Sequence, residues 1–287
     1  MENVIEFHNV SKKFASFEID QLNLKVKKGY ITGFIGTNGA GKSTIIKMIM
    51  NILQPDTGDV HVFGLQQPQA EKVIKSRLGF VYDQNIFYPW LNLQEIQKMI
   101  APTYPTWDQA TFLHYVEQFE LPMKKAIKHF SKGMQTKASL AIALSHHAEL
   151  LIMDEPTAGL DPAFRMELMA IFQQVMVEEG RSIFFSTHTT SDLERYADYI
   201  VVLDQGKILL HAPTDEILQN YVVVKGSNTL LDRDTKAHFI HIIQETHTFR
   251  ALASCKREIA DIFGEHVVME NISLDELIFY LKAAQRQ

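Results

Sequence analysis

Three kinds of hydrophobic patterning follow one another along the chain. Val4 to Phe7 and Leu22 to Val26 alternate apolar with polar residues, which predicts strands with one face buried, and Lys27-Lys28-Gly29 is the turn leading out of them. The stretches Ile31 to Ile35, Leu78 to Tyr82, Leu150 to Met153 and Ile183 to Phe185 are mainly apolar and of strand length, as strands buried on both faces are. Helical character runs from Ile45 to Leu53 and through Ala138, Leu140, Ala141, Ile142 and Leu144. A turn cluster, Leu53 to Asp59, precedes a short strand at Val60 to Gly64. Between Tyr88 and Phe130, prolines at 89, 102, 105 and 122 punctuate short helices, with capped starts predicted at Asn92 with Glu95 and at Thr106 with Gln109. From Tyr221 the pattern changes again. Strands are predicted at Tyr221 to Val224 and Phe239 to Ile243, and helices at Lys256 to Phe263 and Leu274 to Ala284, the last opened by a Ser273–Glu276 capping box.

The strand ending at Ile35 runs into Gly36-Thr37-Asn38-Gly39-Ala40-Gly41-Lys42-Ser43-Thr44 and then into a helix. Strand, glycine loop and helix form the context of a phosphate-binding P-loop. Its glycines let backbone amides approach phosphate oxygens, the positive end of the helix dipole points at the same place, Lys42 reaches the β and γ phosphates, and Ser43 suits a Mg²⁺ ligand position.

Composition narrows the class without changing it. With 287 residues, 46% of them hydrophobic, the chain can bury a substantial core. A net charge of −6, with lysines and arginines scattered, gives no electrostatic footprint for nucleic acid. The single Cys255 and the acidic residues Glu2 and Glu6 near the start, where a signal peptide would be basic and then apolar, lead us to expect a cytosolic location. No stretch approaches the roughly 18 apolar residues of a membrane span, so membrane association is expected to go through a partner.

Two further strand ends carry chemistry. Leu150 to Met153 delivers Asp154 and Glu155 to the carboxyl end of a buried strand, where open α/β sheets place ligands. Adjacent carboxylates there make sense around a cation and a water, with Asp154 holding the ion and Glu155 orienting or deprotonating the water. The strand Ile183 to Thr187 ends at His188, which can donate to a γ-phosphate. Phe14 stands near a turn, as a plug in the core or as a face for an adenine ring, with Phe17 the runner-up. His238, His241 and His247 fit no standard metal spacing and are read as surface residues.

The ordered set of a P-loop, Phe130-Ser131-Lys132-Gly133-Met134-Gln135, a strand ending Asp154-Glu155-Pro156, then Gly159-Leu160-Asp161, then His188 resembles the nucleotide-binding subunits of ABC transporters over about residues 2–220. The resemblance implies that Gly36 to Thr44 is Walker A, Leu150 to Asp154 Walker B and Glu155 the catalytic carboxylate. It places Ser131 to Gln135 on the signature motif, Gly159 to Asp161 on the D-loop, His188 on the switch histidine and Phe14 on the adenine-stacking aromatic. The signature departs from the usual Leu-Ser-Gly-Gly-Gln, and its Lys132 and Met134 are similar to those of exporter subunits that pair with separate membrane proteins. Gln84 has the chemistry of the Q-loop residue while ungapped spacing puts Asp83 there, so either can serve the ion, Gln84 being preferred.

The implied fold is α/β. A P-loop NTPase core sheet carries an antiparallel β subdomain at its start and an inserted helical subdomain at about 88–145, together forming an ABC ATPase domain over 1–220. A small C-terminal α/β appendage covers 221–287. The implied function is ATP hydrolysis, with ATP and Mg²⁺ as cofactors, driving export. The implied partners are an integral membrane permease and a second ATPase subunit, identical or related, with the chain held at the cytoplasmic face of the membrane through the permease. A soluble, non-transport ABC ATPase and a nucleotide-sensing module are the alternatives. The first goes with fused cassettes, coiled coils or basic arms, and the other tolerates loss of Glu155 or His188.

Overall fold

The computed structural model describes residues 2–82, 86–177 and 180–285. The chain opens with β1 (Asn3–Lys13) and β2 (Glu18–Lys27), enters β3 (Ile31–Gly36) and α1 (Lys42–Ile49), and returns through β4 (Thr57–Val62) and β5 (Leu65–Gln66). Next come α2 (Glu71–Arg77), β6 (Leu78–Val81), α3 (Leu93–Ile100), α4 (Gln109–Gln118) and α5 (Lys132–Ser145). Then follow β7 (Leu150–Asp154), α6 (Pro162–Val177), β8 (Ser182–Thr187), α7 (Thr190–Tyr196), β9 (Tyr199–Asp204), β10 (Lys207–Pro213) and α8 (Thr214–Asn220). The last part holds β11 (Val222–Ser227), α9 (Arg233–Lys236), β12 (His241–Gln244), β13 (Thr248–Ala253), α10 (Lys256–Phe263), β14 (Val268–Asn271) and α11 (Leu274–Ala284).

A six-stranded sheet of order β10-β9-β3-β8-β7-β6 is the centre, parallel from β9 to β6 with β10 antiparallel at one edge. Its inner strands β3, β8 and β7 bury both faces, so their side chains divide between two cores at period two. Phe34, Leu150, Ile152 and Phe184 join α1 and the antiparallel sheet β2-β1-β4-β5 on one face. Ile35, Leu151, Met153, Ile183 and Phe185 join α5, α6 and α7 on the other. Gly33 lets α7 settle on β3: a Cβ there would lie 2.1 Å from Leu193 Cδ2.

The helical segment contains α3 and α4 in front of α5. Asn92 and Glu95 form the expected capping box at α3. The cap expected at Thr106 lies elsewhere: Asp108 caps α4, its Oδ1 accepting from Ala110 N at 2.8 Å, while Thr106 Oγ1 donates to the His146 carbonyl at 2.6 Å. A run of Thr, Asp and Gln offers two capping side chains, and only the helix register selects between them. His146, just past α5, is buried and stacks on Tyr104 with ring centroids 3.8 Å apart. Desolvation lowers its pKa from 6.5 to about 4, so the folded chain keeps it neutral where the unfolded chain protonates it. The sign follows from linkage. Its stabilising contribution is intact above pH 6.5 and is lost as pH falls toward 4, costing about 2 kcal/mol between pH 7 and 5. Urea unfolding at those two pH values should show this extra loss in the parental chain, and His146→Phe should remove it.

The C-terminal residues form a third sheet, β12-β13-β11-β14, antiparallel throughout. One of its faces makes a separate core from Val222, Val224, Phe249, Ala251, Ile259 and Phe263. The other face, with Val223 and Leu252, and the inner side of α11, with Leu274, Leu277, Tyr280 and Leu281, belong to the larger core beside α7. The helices α10 and α11 and the Ser273–Glu276 capping box match expectation, whereas β12 starts at His241 and β13 and β14 were not anticipated. Among the described residues no helix is long and apolar enough to cross a membrane.

Candidate functional site

The parallel strands β3, β7 and β8 end side by side, and their carboxyl ends deliver the residues singled out in the sequence. Between β3 and α1 the loop turns tightly, Ala40 N donating to Thr37 O at 3.0 Å, and Gly41 caps α1 with φ 110°. That conformation excludes other residues, and a Cβ at Gly41 would in any case lie 2.8 Å from Phe17 Cζ. Lys42 folds back over the loop and donates to Gly36 O at 2.7 Å, with its ammonium 3.4 Å from Glu155 Oε1.

Asp154, only 4% exposed, accepts from two hydroxyls: Ser43 Oγ at 3.0 Å on Oδ2 and Ser186 Oγ at 2.6 Å on Oδ1. Glu155 has φ 50°, a conformation that is strained for a residue with a side chain. It is held there because its N–H reaches the Ser186 carbonyl at 3.1 Å and Oγ at 3.0 Å. Its Oε2 accepts from the His188 N–H at 3.2 Å and lies 2.7 Å from His188 Nδ1. In the tautomer with a proton on Nδ1, His188 donates to Glu155 Oε2, and Nε2 lies on the other side of the largely exposed ring. Lys42, Glu155 and His188 thus form one row, with Ser43 and Asp154 beside it.

This geometry brings together Lys42, Ser43, Asp154, Glu155 and His188. Phe14 and Phe17 stack at 6.1 Å, and with Gly39, Gln205 and Lys207 they line a cavity of about 850 Å³. Phe17 backs onto Gly41 while Phe14 remains 40% exposed. Ser131 and Gly133 stand at the start of α5 and outside this row, where a Cβ on Gly133 would lie 3.2 Å from Phe164 Cδ1 of α6. Asp83 and Gln84 lie outside the described residues.

The family model described as ABC transporter matches residues 19–158. The bacitracin transport ATP-binding protein of Bacillus licheniformis is 33% identical over 220 residues, 76% of this chain and 72% of that protein. The chain belongs to the ATP-binding family of ABC transporters. The bacitracin transport ATP-binding protein of Enterococcus faecalis is 32% identical over 76% of this chain and 71% of its own length. A solved ATP-binding subunit of an ABC transporter superposes with TM-score 0.68 at 27% identity, covering 75% of this chain and 91% of that one. An ATP-binding cassette solved as a dimer in a post-hydrolysis state, with ADP and Pi, superposes with TM-score 0.65 at 22% identity, covering 73% of this chain and 98% of that one, a likeness of fold alone. The chain is thus an ATP-binding subunit of an ABC transporter, an ATPase that energises transport.

Within this ABC subunit, Ser131 Oγ caps α5, accepting from Met134 N at 3.2 Å. Lys132 lies along Gly159, whose Cβ, were there one, would be 3.6 Å from Lys132 Cδ. Asp161 caps α6, its Oδ1 accepting from Phe164 N at 3.0 Å. The loop from Glu155 to Asp161 is tied to α7 by the buried Asp192, which accepts from Thr157 Oγ1 at 3.1 Å and Arg165 Nε at 2.8 Å. Ser186 and Asp192 were not anticipated from the sequence. The only mark of Ser186 is that it is a polar residue inside an apolar strand, and Asp192 resembles any acid in the first turn of a helix. Among the described residues no group of three or more His, Cys, Asp or Glu could hold a metal, and His238 pairs with Glu258 at 2.6 Å.

Proposed function

We propose that this ATPase drives export through a separate membrane permease, working as a head-to-tail pair of cassettes in which each signature completes the other's nucleotide site. The observation that carries this reading is the row Lys42–Glu155–His188 beside Ser43 and Asp154, with Ser131 and Gly133 outside that row at the start of α5. The P-loop amides from Gly36 to Thr44 and Lys42 bind the phosphates, and Phe14 stacks on the base. Ser43 and Asp154 place a hydroxyl and a carboxylate 3.0 Å apart, a hard-oxygen pair suited to Mg²⁺, with Gln84 or Asp83 as a further ligand. The ion would screen the β and γ phosphate charge. Glu155 takes a proton from the attacking water. His188, held by Glu155 through Nδ1, turns Nε2 toward the γ-phosphate, to which it donates once that nitrogen carries a proton.

Ser131, Gly133 and Asp161 act on the nucleotide of the partner cassette, a further copy or a related chain. Lys132 and Met134 favour export, as in exporter subunits with separate membrane proteins. A cavity of about 540 Å³ between α2 and the helical segment, lined by Val73, Ser76, Thr103 and Tyr104, suits the permease, and exposed Tyr88 and Trp90 lie on that same helical segment. Docking there would hold the chain at the cytoplasmic face of the membrane and let closure of the cassettes move the permease.

The test is extraction of the tagged chain from native membranes in mild detergent. It should carry a polytopic membrane protein and release phosphate from ATP only while Mg²⁺ is present, with EDTA stopping turnover. Recovery in the soluble fraction without such a partner would sink the transport reading in favour of a non-transport ATPase. Nucleotide binding without phosphate release would favour a sensor.

A further inference from the structure

The helix α11 lies across two parts of the phosphate site. Its start grips α7, which begins two residues after His188: Thr190 Oγ1 donates to Asp275 Oδ2 at 3.0 Å, and the Leu274 N–H donates to Glu194 Oε1 at 2.6 Å. Seven residues beyond Asp275, two turns on and on the same side of the helix, Lys282 Nζ lies 3.0 Å from Asp204 Oδ1. That same oxygen accepts from Thr37 Oγ1 at 3.3 Å, and Thr37 is the loop residue immediately after Gly36. The Lys282 and Asp204 side chains are only 17% and 20% exposed, unlike those of an ordinary surface pair.

Asp204 therefore sets a negative charge one hydrogen bond from a loop whose occupant is a polyphosphate. Alone it would repel that occupant. Lys282 supplies the opposing charge, and it comes from the C-terminal unit rather than from the cassette. We propose that Lys282 is a positioning residue for nucleotide binding, neutralising Asp204 and holding it on Thr37, so that the C-terminal unit sets the ATP affinity of its own chain. The inference rests on the reading of Gly36 to Thr44 as the nucleotide loop.

Steady-state hydrolysis by the full chain across ATP concentrations tests it. Lys282→Met should raise KM for ATP about three- to tenfold, with kcat within about twofold, and added salt should narrow the gap. Lys282→Arg keeps the charge and should stay close to the parental KM. The decisive variant is Lys282→Met with Asp204→Asn, which should bring KM most of the way back because the repelling charge is gone. An unchanged KM in Lys282→Met, or a loss that Asp204→Asn does not reverse, overturns the coupling. Should Lys282→Met unfold, Asp204→Asn alone decides the matter: it leaves the Lys282 charge uncompensated, so a KM below the parental value supports the proposal, and an unchanged or raised KM defeats it. Parental-strength ATP binding by Lys42→Ala would instead remove the nucleotide-loop reading itself, and the coupling with it.

Discussion

Glu155→Gln is expected to lower kcat for ATP hydrolysis by roughly 10² to 10⁴ while ATP still binds. Glutamine is nearly isosteric with glutamate and its side-chain oxygen can still accept from the His188 N–H, so the loop geometry survives. The backbone strain at φ 50° and the anchors to Ser186 belong to the main chain and are unaffected. What disappears is the negative charge that faces Lys42 at 3.4 Å and the basicity needed to take a proton from water. Because binding is intact and hydrolysis is not, the variant should accumulate in the ATP-bound pair, seen as a shift to twice the mass on size exclusion with ATP and Mg²⁺. Asp154→Asn would not separate the two effects so cleanly, since Asp154 is buried and holds Ser43 and Ser186 together. Turnover at the parental rate in Glu155→Gln would mean that another group takes the proton.

Much of this site is readable before any coordinates, for a physical reason. A strand buried on both faces must be apolar along its length, so a polar residue at its end marks where the chain reaches the ligand edge of the sheet. Lys42, Asp154, Glu155 and His188 all follow such strands, and the parallel pairing of β3, β8 and β7 makes them neighbours. The contacts that hold them are less legible. Ser186 orients both carboxylate residues, but a serine in a strand carries no periodic signal. Asp192 and Asp204 resemble solvated acids at helix and strand ends until the fold brings Arg165 to one and Lys282 to the other. Long-range side-chain pairs of this kind leave no local mark.

The C-terminal unit shows the same limit. The capping box at Ser273 and the 3.6-residue repeat fix α11 to the residue, because caps and amphipathic spacing are local. The strands β13 and β14 are harder to discern since they are short and mix charged with apolar side chains, Arg250 and Glu270 among them. No local pattern distinguishes a helix that packs on its own small sheet from one that packs on the cassette. The placement of Leu277 and Tyr280 in the larger core is a tertiary fact, and it is what puts Lys282 within reach of the P-loop.

Mixing two inactive variants is expected to restore hydrolysis. Lys42→Ala removes the ammonium that reaches over the phosphate loop, so this variant should lose tight ATP binding and essentially all turnover. Ser131→Arg leaves the P-loop intact and fills the start of α5, so in a head-to-tail pair it should block the partner's nucleotide rather than its own. The loss of the Ser131 cap costs about 1 kcal/mol, which a folded chain of this size tolerates. Each variant alone has no complete site. In a mixed pair one site joins a damaged P-loop to a damaged signature, while the other joins an intact P-loop from the Ser131→Arg chain to an intact signature from the Lys42→Ala chain. Random pairing makes half of the pairs mixed, each with one working site of two, so recovery should approach about a quarter of parental activity for independent sites. Phosphate release from the mixture checks it. Were Ser131 and Lys42 to act on the same chain's nucleotide, every site in the mixture would carry one of the two lesions and no activity would return.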